Sequence, residues 1–385
     1  MPCGIHAAAG VADVLRDHVG GLHLNKDQAK TAAHILACRT GRLGGHIAVC
    51  DTCGHTHFAY HSCRDRHCPR CGNLDQALWA EAQLEHLLPI SYFHLVFTVP
   101  ASLRPFFAGQ ARALALNALF AAASQSILEA SQTRGLRPGI LAVLHTWTQQ
   151  LKFHPHIHCL VTGGGLGPEE FVHCRRYLVP VEILRALFKG KLLQALQLQL
   201  RDGEAHVGRH CGHELLRDAS RRSWNIDVRR PLGGPQQVVR YFARYTHRIA
   251  ISNRRIVSYN GHEVVFRWRD RADGNRHKTA TLDGETFSRR FLQHTLPSGF
   301  VRIRRYGLLS NRVRAGLLVR CRDLLDAEPP DPIVDDSRAA ASRRIFGRDP
   351  DRCPYCHEGR LIILAQWRQP MPPGLVRLTA PLRPP

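Results

Sequence analysis

Acidic side chains are scarce in this sequence: 31 Asp and Glu stand against 53 Lys and Arg, leaving a net charge of +22 over 385 residues. So unbalanced a chain is poorly suited to a cationic partner and well suited to a polyanion, nucleic acid above all. Lysine is scarcer still. Only six of the 53 cations are lysine, so the charge is carried by guanidinium, which forks onto phosphate and stacks on bases. GC-rich coding explains arginine in place of lysine, but not the excess of cations over anions. No uninterrupted apolar run reaches the length of about eighteen residues that would suggest a membrane span. The most apolar stretch, Ala111 to Ala130, carries Asn117, Gln125 and Glu129 and reads as a core helix. The start has no basic segment followed by an apolar one, because Asp13, Arg16 and Asp17 interrupt it, so no secretory leader is expected. There is no G-x4-G-K-[ST] phosphate loop, hence no nucleotide-driven motor of that type.

What is plentiful is cysteine and histidine, thirteen and 24 residues respectively. Two C-x2-C pairs, Cys50-Asp51-Thr52-Cys53 and Cys68-Pro69-Arg70-Cys71, are separated by fourteen residues. Such spacing reads as metal binding in a reducing compartment rather than as a disulfide framework. Four thiolates so placed are expected to close a tetrahedral Zn²⁺ site that folds its lobe. Cys63 and His67 fall inside the loop and are alternatives for one ligand. Arg64, Arg66 and Arg70 decorate the same lobe and suit phosphate contacts. Cys353 and Cys356 form half a site, with His357, Cys321 or a second chain as sources of the remaining ligands.

Periodicity outlines the rest. Helical spacing runs from Val11 to Ala37, from Leu74 to Leu88, through Ala111 to Ala130 and from Val181 to Leu200. Strands are expected at Tyr92–Val99, Ile140–Trp147, His156–Thr162 and Trp224–Arg229. Asn260-Gly261, between Arg255–Tyr259 and Glu263–Trp268, is the strongest hairpin signal. Glu328 to Asp336 is an acidic, Pro-rich linker. The length allows two or three domains, and no internal repeat is present. The expected division is a helical zinc-binding DNA-binding domain over 1–90, a catalytic domain over 91–327, a linker over 328–340, and a C-terminal CxxC element with a disordered tail over 341–385.

The chemistry is concentrated in two segments. In His154-Pro155-His156-Ile157-His158, alternate positions of a strand share one face about 6.6 Å apart, so two imidazoles can grip one divalent cation. His156 and His158 are the expected pair, since His154 lies roughly 13 Å along the strand from His158. His145, on the neighbouring strand, is the candidate third ligand. Mg²⁺ or Mn²⁺ would keep positions open for phosphate oxygens. In Tyr241-Phe242-Ala243-Arg244-Tyr245 two phenols stand four residues apart, on one face of a helix expected over Gln236–Arg248, with Arg240, Arg244 and Arg248 beside them. Taken alone, the histidines are a common pattern and the tyrosines a core stripe. Together, on a basic chain, they point to DNA cleavage with the protein left covalently attached.

At these residues the chain resembles the two-tyrosine transposases of the HUH (His-hydrophobic-His) endonuclease superfamily, of the rolling-circle insertion-sequence type called IS91. The resemblance covers most of the chain. It is carried by Cys63-Arg64-Asp65-Arg66-His67-Cys68-Pro69-Arg70-Cys71, Phe93-His94-Leu95-Val96-Phe97-Thr98-Val99-Pro100, His154 to Val161, Arg240-Tyr241 through Asn253, and Arg304-Arg305-Tyr306-Gly307. It implies an α+β fold: a ferredoxin-like antiparallel sheet with helices, preceded by a helical zinc-binding lobe. It also implies His156 and His158 as metal ligands, Tyr241 and Tyr245 as nucleophiles, and single-stranded DNA at element ends and target as substrate. Host helicase and replication proteins would supply unwinding. The expected setting is the bacterial cytoplasm, at the nucleoid, with no membrane partner. A rolling-circle replication initiator or plasmid relaxase shares this chemistry, and a non-catalytic zinc-dependent DNA-binding regulator shares the zinc and the charge.

Overall fold

The computed structural model describes residues 9–109, 111–174, 179–232, 250–270, 272–329 and 337–368. Among these, the helices are α1 (Val11–His18), α2 (Lys26–Ala37), α3 (Asn73–Leu84), α4 (Arg112–Gln132), α5 (Val181–Arg201), α6 (Arg209–Arg221), α7 (Gly284–Leu292), α8 (Arg314–Leu324) and α9 (Arg338–Phe346). The strands are β1 (Gly45–Cys50), β2 (Thr56–Tyr60), β3 (Tyr92–Thr98), β4 (Gly139–Trp147), β5 (Phe153–Thr162), β6 (Gly164–Leu166) and β7 (Phe171–His173). They continue with β8 (Ile226–Leu232), β9 (Ile256–Tyr259), β10 (Glu263–Asp270), β11 (Arg276–Asp283), β12 (Ile303–Gly307) and β13 (Leu361–Trp367).

The chain does not divide into consecutive blocks at residues 90 and 327. One compact unit gathers residues 1–78, 247–295 and 332–385, and the other residues 79–246 and 296–331. The C-terminal CxxC element, expected to stand apart beyond a linker, belongs to the same unit as the N-terminal cysteines.

In the first unit, β13, β1 and β2 form one antiparallel sheet in that order, and β11, β10 and β9 another. The Asn260-Gly261 turn forms as expected: Asn260 Oδ1 accepts from the amides of His262 and Glu263 at 2.9 and 2.7 Å, and Gly261 takes a left-handed φ of 92°. Helix α2 starts at a capping box, with Gln28 N–H donating to Asn25 Oδ1 at 3.0 Å and Asn25 N–H donating to Gln28 Oε1 at 3.1 Å. It stops at Ala37 because Cys38 turns extended, with ψ of 124°, which carries that thiol out of the helix toward the loop after β2.

In the second unit five strands lie in the order β12-β4-β5-β3-β8, every neighbouring pair antiparallel. Read along the chain, β3-α4-β4-β5-α5-β8 is a split βαβ repeat, the ferredoxin-like arrangement, with α6 inserted before β8 and β12 added at the edge beside β4. The unit is therefore α+β with an antiparallel sheet. Alternation assigns its two faces. Phe93, Leu95 and Phe97 of β3, Ile140, Ala142 and Leu144 of β4, and Ile157, Cys159 and Val161 of β5 point to one side. There they meet Leu116, Leu119, Phe120 and Ile127 of α4 and the i, i+4 series Leu184, Phe188, Leu192, Leu196 and Leu200 of α5. Helix α4 is long and apolar enough to cross a membrane, but 61% of its apolar window is buried in this core. The opposite side of the sheet carries the histidines.

Candidate metal centre and cysteine sites

Register builds the histidine site. In β5, His156 lies opposite His145 of β4 and Thr98 of β3, and His158 opposite Val143 and Val96. Facing pairs in an antiparallel sheet project to the same side, so His145, His156 and His158 converge, each with one ring nitrogen within 4.8 Å of the others'. His145 and His158 are buried and His156 half-buried. Trp147 stacks on the His145 ring at 4.4 Å and fixes its plane.

A backbone hydrogen bond selects the tautomer of one of these rings, and a ring–ring bond pairs another. His156 Nδ1 lies 2.6 Å from the backbone carbonyl of His154, an acceptor only, so Nδ1 carries the hydrogen in the neutral ring and Nε2 keeps its lone pair. His158 Nδ1 lies 2.8 Å from His94 Nε2 with the two rings stacked, their planes 8° apart. When Nδ1 of His158 donates there, its Nε2 is also left basic. Burial, then the neighbouring His145, His156, His94 and Arg229, hold the His158 pKa well below the ordinary imidazole value, so this ring stays neutral and able to ligate. Three imidazoles gathered on one sheet face fit a first-row divalent cation.

The residues sequence reasoning passed over are His94 and Arg229. The one signal for His94 is a histidine interrupting the apolar strand Tyr92–Thr98. Arg229 sits opposite His94 on β8, anchored by Asp227 at 2.9 Å, and brings a guanidinium to the histidine face. His154 does not join the cluster; its Nδ1 accepts from Arg104 at 3.0 Å.

Tyr241, Tyr245, Arg240, Arg244 and Arg248, with the helix expected to carry them, lie outside the described residues. In this unit the described tyrosines are Tyr92 and Tyr306. Tyr92 is fully buried and its oxygen accepts from Leu88 N–H at 2.8 Å, with burial driving its pKa up. Tyr306 pairs with Ile140 and faces the helices. Neither offers a phenolate on the histidine face.

The cysteines do not gather as the fourteen-residue spacing suggests. Cys68 and Cys71 meet Cys38 and Cys63, whereas Cys50 and Cys53 meet Cys353 and Cys356. The single set Cys50, Cys53, Cys68 and Cys71 is therefore corrected to two sets. The physical reason is strand pairing: β1 ends at Cys50 and runs beside β13, which starts just after the C-terminal pair, while the loop holding Cys63, Cys68 and Cys71 folds back onto the end of α2. In the first set, Cys71 Sγ stands 3.1 Å from Cys38 Sγ and 3.7 Å from Cys63 Sγ. A tetrahedron with Zn–S bonds of about 2.3 Å has edges of about 3.8 Å, so four thiolates here fit Zn²⁺. Hydrogen bonds from Cys38, Cys63 and Cys68 hold the Cys71 thiol far below its ordinary range, and those of Cys63 and Cys68 bring Cys38 down to about 7. Asp65 braces the loop through His34 Nδ1 and the His67 amide at 2.9 and 2.8 Å. Arg64 and Arg66 are exposed on it.

Residues 10–99 match the transposase zinc-binding domain of the IS91 type, and residues 139–315 a putative transposase domain. Among similar proteins, "Putative transposase y4qJ" of Sinorhizobium fredii (strain NBRC 101917 / NGR234) is 40% identical over 360 residues, covering 89% of this chain and 90% of that protein. The chain belongs to the IS91-type transposase family. "Transposase for insertion sequence element IS801" of Pseudomonas savastanoi pv. phaseolicola is 32% identical over 346 residues, 86% of this chain and 82% of that protein. No solved structure matches. In this transposase the zinc-binding match covers the N-terminal cysteines and, at its end, β3 with His94, while β4 and β5 with the other three histidines open the transposase match.

Proposed function

We propose that this transposase cleaves and rejoins single-stranded DNA by the rolling-circle route, through a 5′-phosphotyrosine. The observation that carries the reading is the convergence of His145, His156 and His158, their ligand atoms within 4.8 Å of one another, on the sheet face opposite α4 and α5. These three would hold Mg²⁺ or Mn²⁺, imidazole favouring Mn²⁺ chemically and abundance favouring Mg²⁺. The ion would polarise the scissile phosphate and offset charge in the transition state.

The chain's own groups do the rest. His94 fixes the His158 tautomer, the His154 carbonyl fixes that of His156, and Arg229 places positive charge where a phosphate would lie. Tyr241 and Tyr245 are the proposed nucleophiles. A phenol gives up its proton, its oxygen bonds to phosphorus in line, and the bond from phosphorus to the 3′ oxygen breaks, that oxygen leaving as a 3′-hydroxyl. A phenol of ordinary pKa near 10 needs nearby cations for this, which Arg240, Arg244 and Arg248 would provide. Two tyrosines allow one to hold the first cut while the other makes the second. Arg64 and Arg66 would position the DNA backbone, and host helicase and replication proteins would supply unwinding at the nucleoid.

The test is nicking of a labelled single-stranded oligonucleotide from the element's own end, in Mg²⁺ or Mn²⁺. His156→Ala with His158→Ala should abolish nicking while oligonucleotide binding persists. Undiminished nicking by that variant would sink the assignment.

A further inference from the structure

Cys50, Cys53, Cys353 and Cys356 lie within the first unit with their four sulfurs no more than 4.8 Å apart. Cys50 Sγ is 3.7 Å from Cys356 Sγ, and Cys53 Sγ is 3.8 Å from Cys353 Sγ. These separations are far longer than a disulfide bond of about 2.0 Å and equal the edge of a zinc tetrathiolate, about 3.8 Å at a Zn–S bond of about 2.3 Å.

The two C-x2-C turns are also built alike, although some three hundred residues separate them. In the first, Cys53 N–H points at Cys50 Sγ at 3.5 Å, Gly54 N–H donates to the Cys50 carbonyl at 3.1 Å, and Gly54 is left-handed at φ 69°. In the second, Tyr355 N–H points at Cys353 Sγ at 3.4 Å, His357 N–H donates to the Cys353 carbonyl at 3.1 Å, and His357 is left-handed at φ 59°. Gly359 N–H adds a bond to Cys356 Sγ at 3.4 Å. Amides aimed at sulfur stabilise thiolate, not thiol. A left-handed histidine costs on the order of 1 kcal/mol, a strain that a turn wrapped round an ion explains. The turns approach so closely that a Cβ on Gly359 would fall 2.4 Å from Cys50 Sγ.

Burial supplies an independent argument. Strand β13 leaves Ile362, Ile363 and Leu364 more than half exposed, and only Trp367 at its end is buried. Ladder hydrogen bonds to β1 alone are a weak hold on an edge strand with so little core.

We propose that these four cysteines hold a second structural Zn²⁺, a ribbon whose two knuckles come from opposite ends of the chain, and that this ion locks β13 beside β1. The lock has a consequence for the lobe's surface. Gln366 of β13 and Arg368 just after it form one wall of a groove of about 980 Å³ whose other lining includes Arg39, Arg64, His46 and Tyr60. Three guanidiniums and no carboxylate line it, which suits a phosphodiester backbone. That use of the groove rests on the proposed function; the metal site does not.

The experiment uses the full chain, with Co²⁺ exchanged for zinc and the thiolate-to-cobalt absorption read per chain. Wild type should show two tetrathiolate sites. Cys353→Ser with Cys356→Ser should lose half the band and one equivalent of zinc, while Cys356→His, still a competent zinc ligand, should retain two equivalents. A wild-type protein with a single tetrathiolate site, or with iron in the second, overturns the proposal, and so does a double Ser variant with the full band. A labelled single-stranded oligonucleotide separates the two readings. Loss of the second metal with a shallower salt dependence of binding supports the groove, whereas metal loss with unchanged binding removes the groove and leaves the site. Failure of wild type to bind any oligonucleotide counts against the transposition chemistry alone.

Discussion

His94 offers the sharpest test of the proposed histidine site, because it would act on an ion it does not touch. His94→Ala deletes the acceptor 2.8 Å from His158 Nδ1. His158 then has two options, both unfavourable. It can keep its hydrogen on Nδ1 and leave a buried donor short of that partner, at a cost of about 1–3 kcal/mol. Alternatively it moves the hydrogen to Nε2, which removes the lone pair a metal needs. Loss of such an orienting partner typically weakens metal binding by about 10–100-fold, or roughly 1.4–2.8 kcal/mol. The assay is a Mn²⁺ titration followed by the EPR signal of the free ion, with circular dichroism as a check on folding. His94→Gln, whose amide oxygen can accept the same hydrogen, should recover much of the affinity. Equal Mn²⁺ affinity in wild type and His94→Ala refutes the orienting role. If Gln fails as badly as Ala in a folded protein, what matters is the ring's shape and not its hydrogen bond.

Three further outcomes are expected. Either Tyr241→Phe or Tyr245→Phe should leave some covalent adduct with a short oligonucleotide, and the double variant none at unchanged melting temperature; adduct from the double variant would place the nucleophile elsewhere. Phe188→Ala should destabilise the second unit by about 3–5 kcal/mol, since that ring is fully buried between Phe97 and Trp224 at 5.0 and 5.4 Å, and a denaturation midpoint near wild type would contradict the core assignment. Without added divalent ion, stability should fall as pH drops below the ordinary histidine value of 6.5, because the folded His158 resists the proton that the unfolded chain accepts. At one unit below that value the loss from this residue is about 1 kcal/mol, and a flat denaturant midpoint between pH 7.5 and 5.5 would argue that His158 is protonated in the fold.

Much of the second unit was legible from sequence because its signals are local. β3, β4 and β5 are runs of β-branched and aromatic residues closed by Pro100 or by Gly163–Gly165, and the alternation of His156 and His158 declared their common face without any tertiary knowledge. His145 was within reach as a candidate because β4 and β5 are consecutive and a short connection makes them neighbours. The cysteines were misread for the opposite reason. Nearness in sequence favoured pairing Cys50 and Cys53 with Cys68 and Cys71, but ligand sets follow the sheet, and nothing in local periodicity reveals that β1 will pair with β13. Cys38 was missed because it stands outside any C-x2-C pair; as the extended cap that ends α2 it comes to face the loop. His94 was hidden in an apolar strand, where a single histidine is ordinarily a satisfied core residue.

The pairing of β1 with β13 also sets an order of events in time. Translation at about 5–20 residues per second delivers Cys50 roughly 15–60 s before Cys356, which follows it by 306 residues. Through that interval β1 has β2 on one side and an open edge on the other, while the five strands of the second unit emerge one after another. A nascent chain thus acquires its histidine-bearing strands before its N-terminal sheet can close. A product cut short by a frameshift or an early stop between β12 and β13 keeps the histidines but never completes that sheet. Full-length synthesis is in this way recorded in the fold of the lobe.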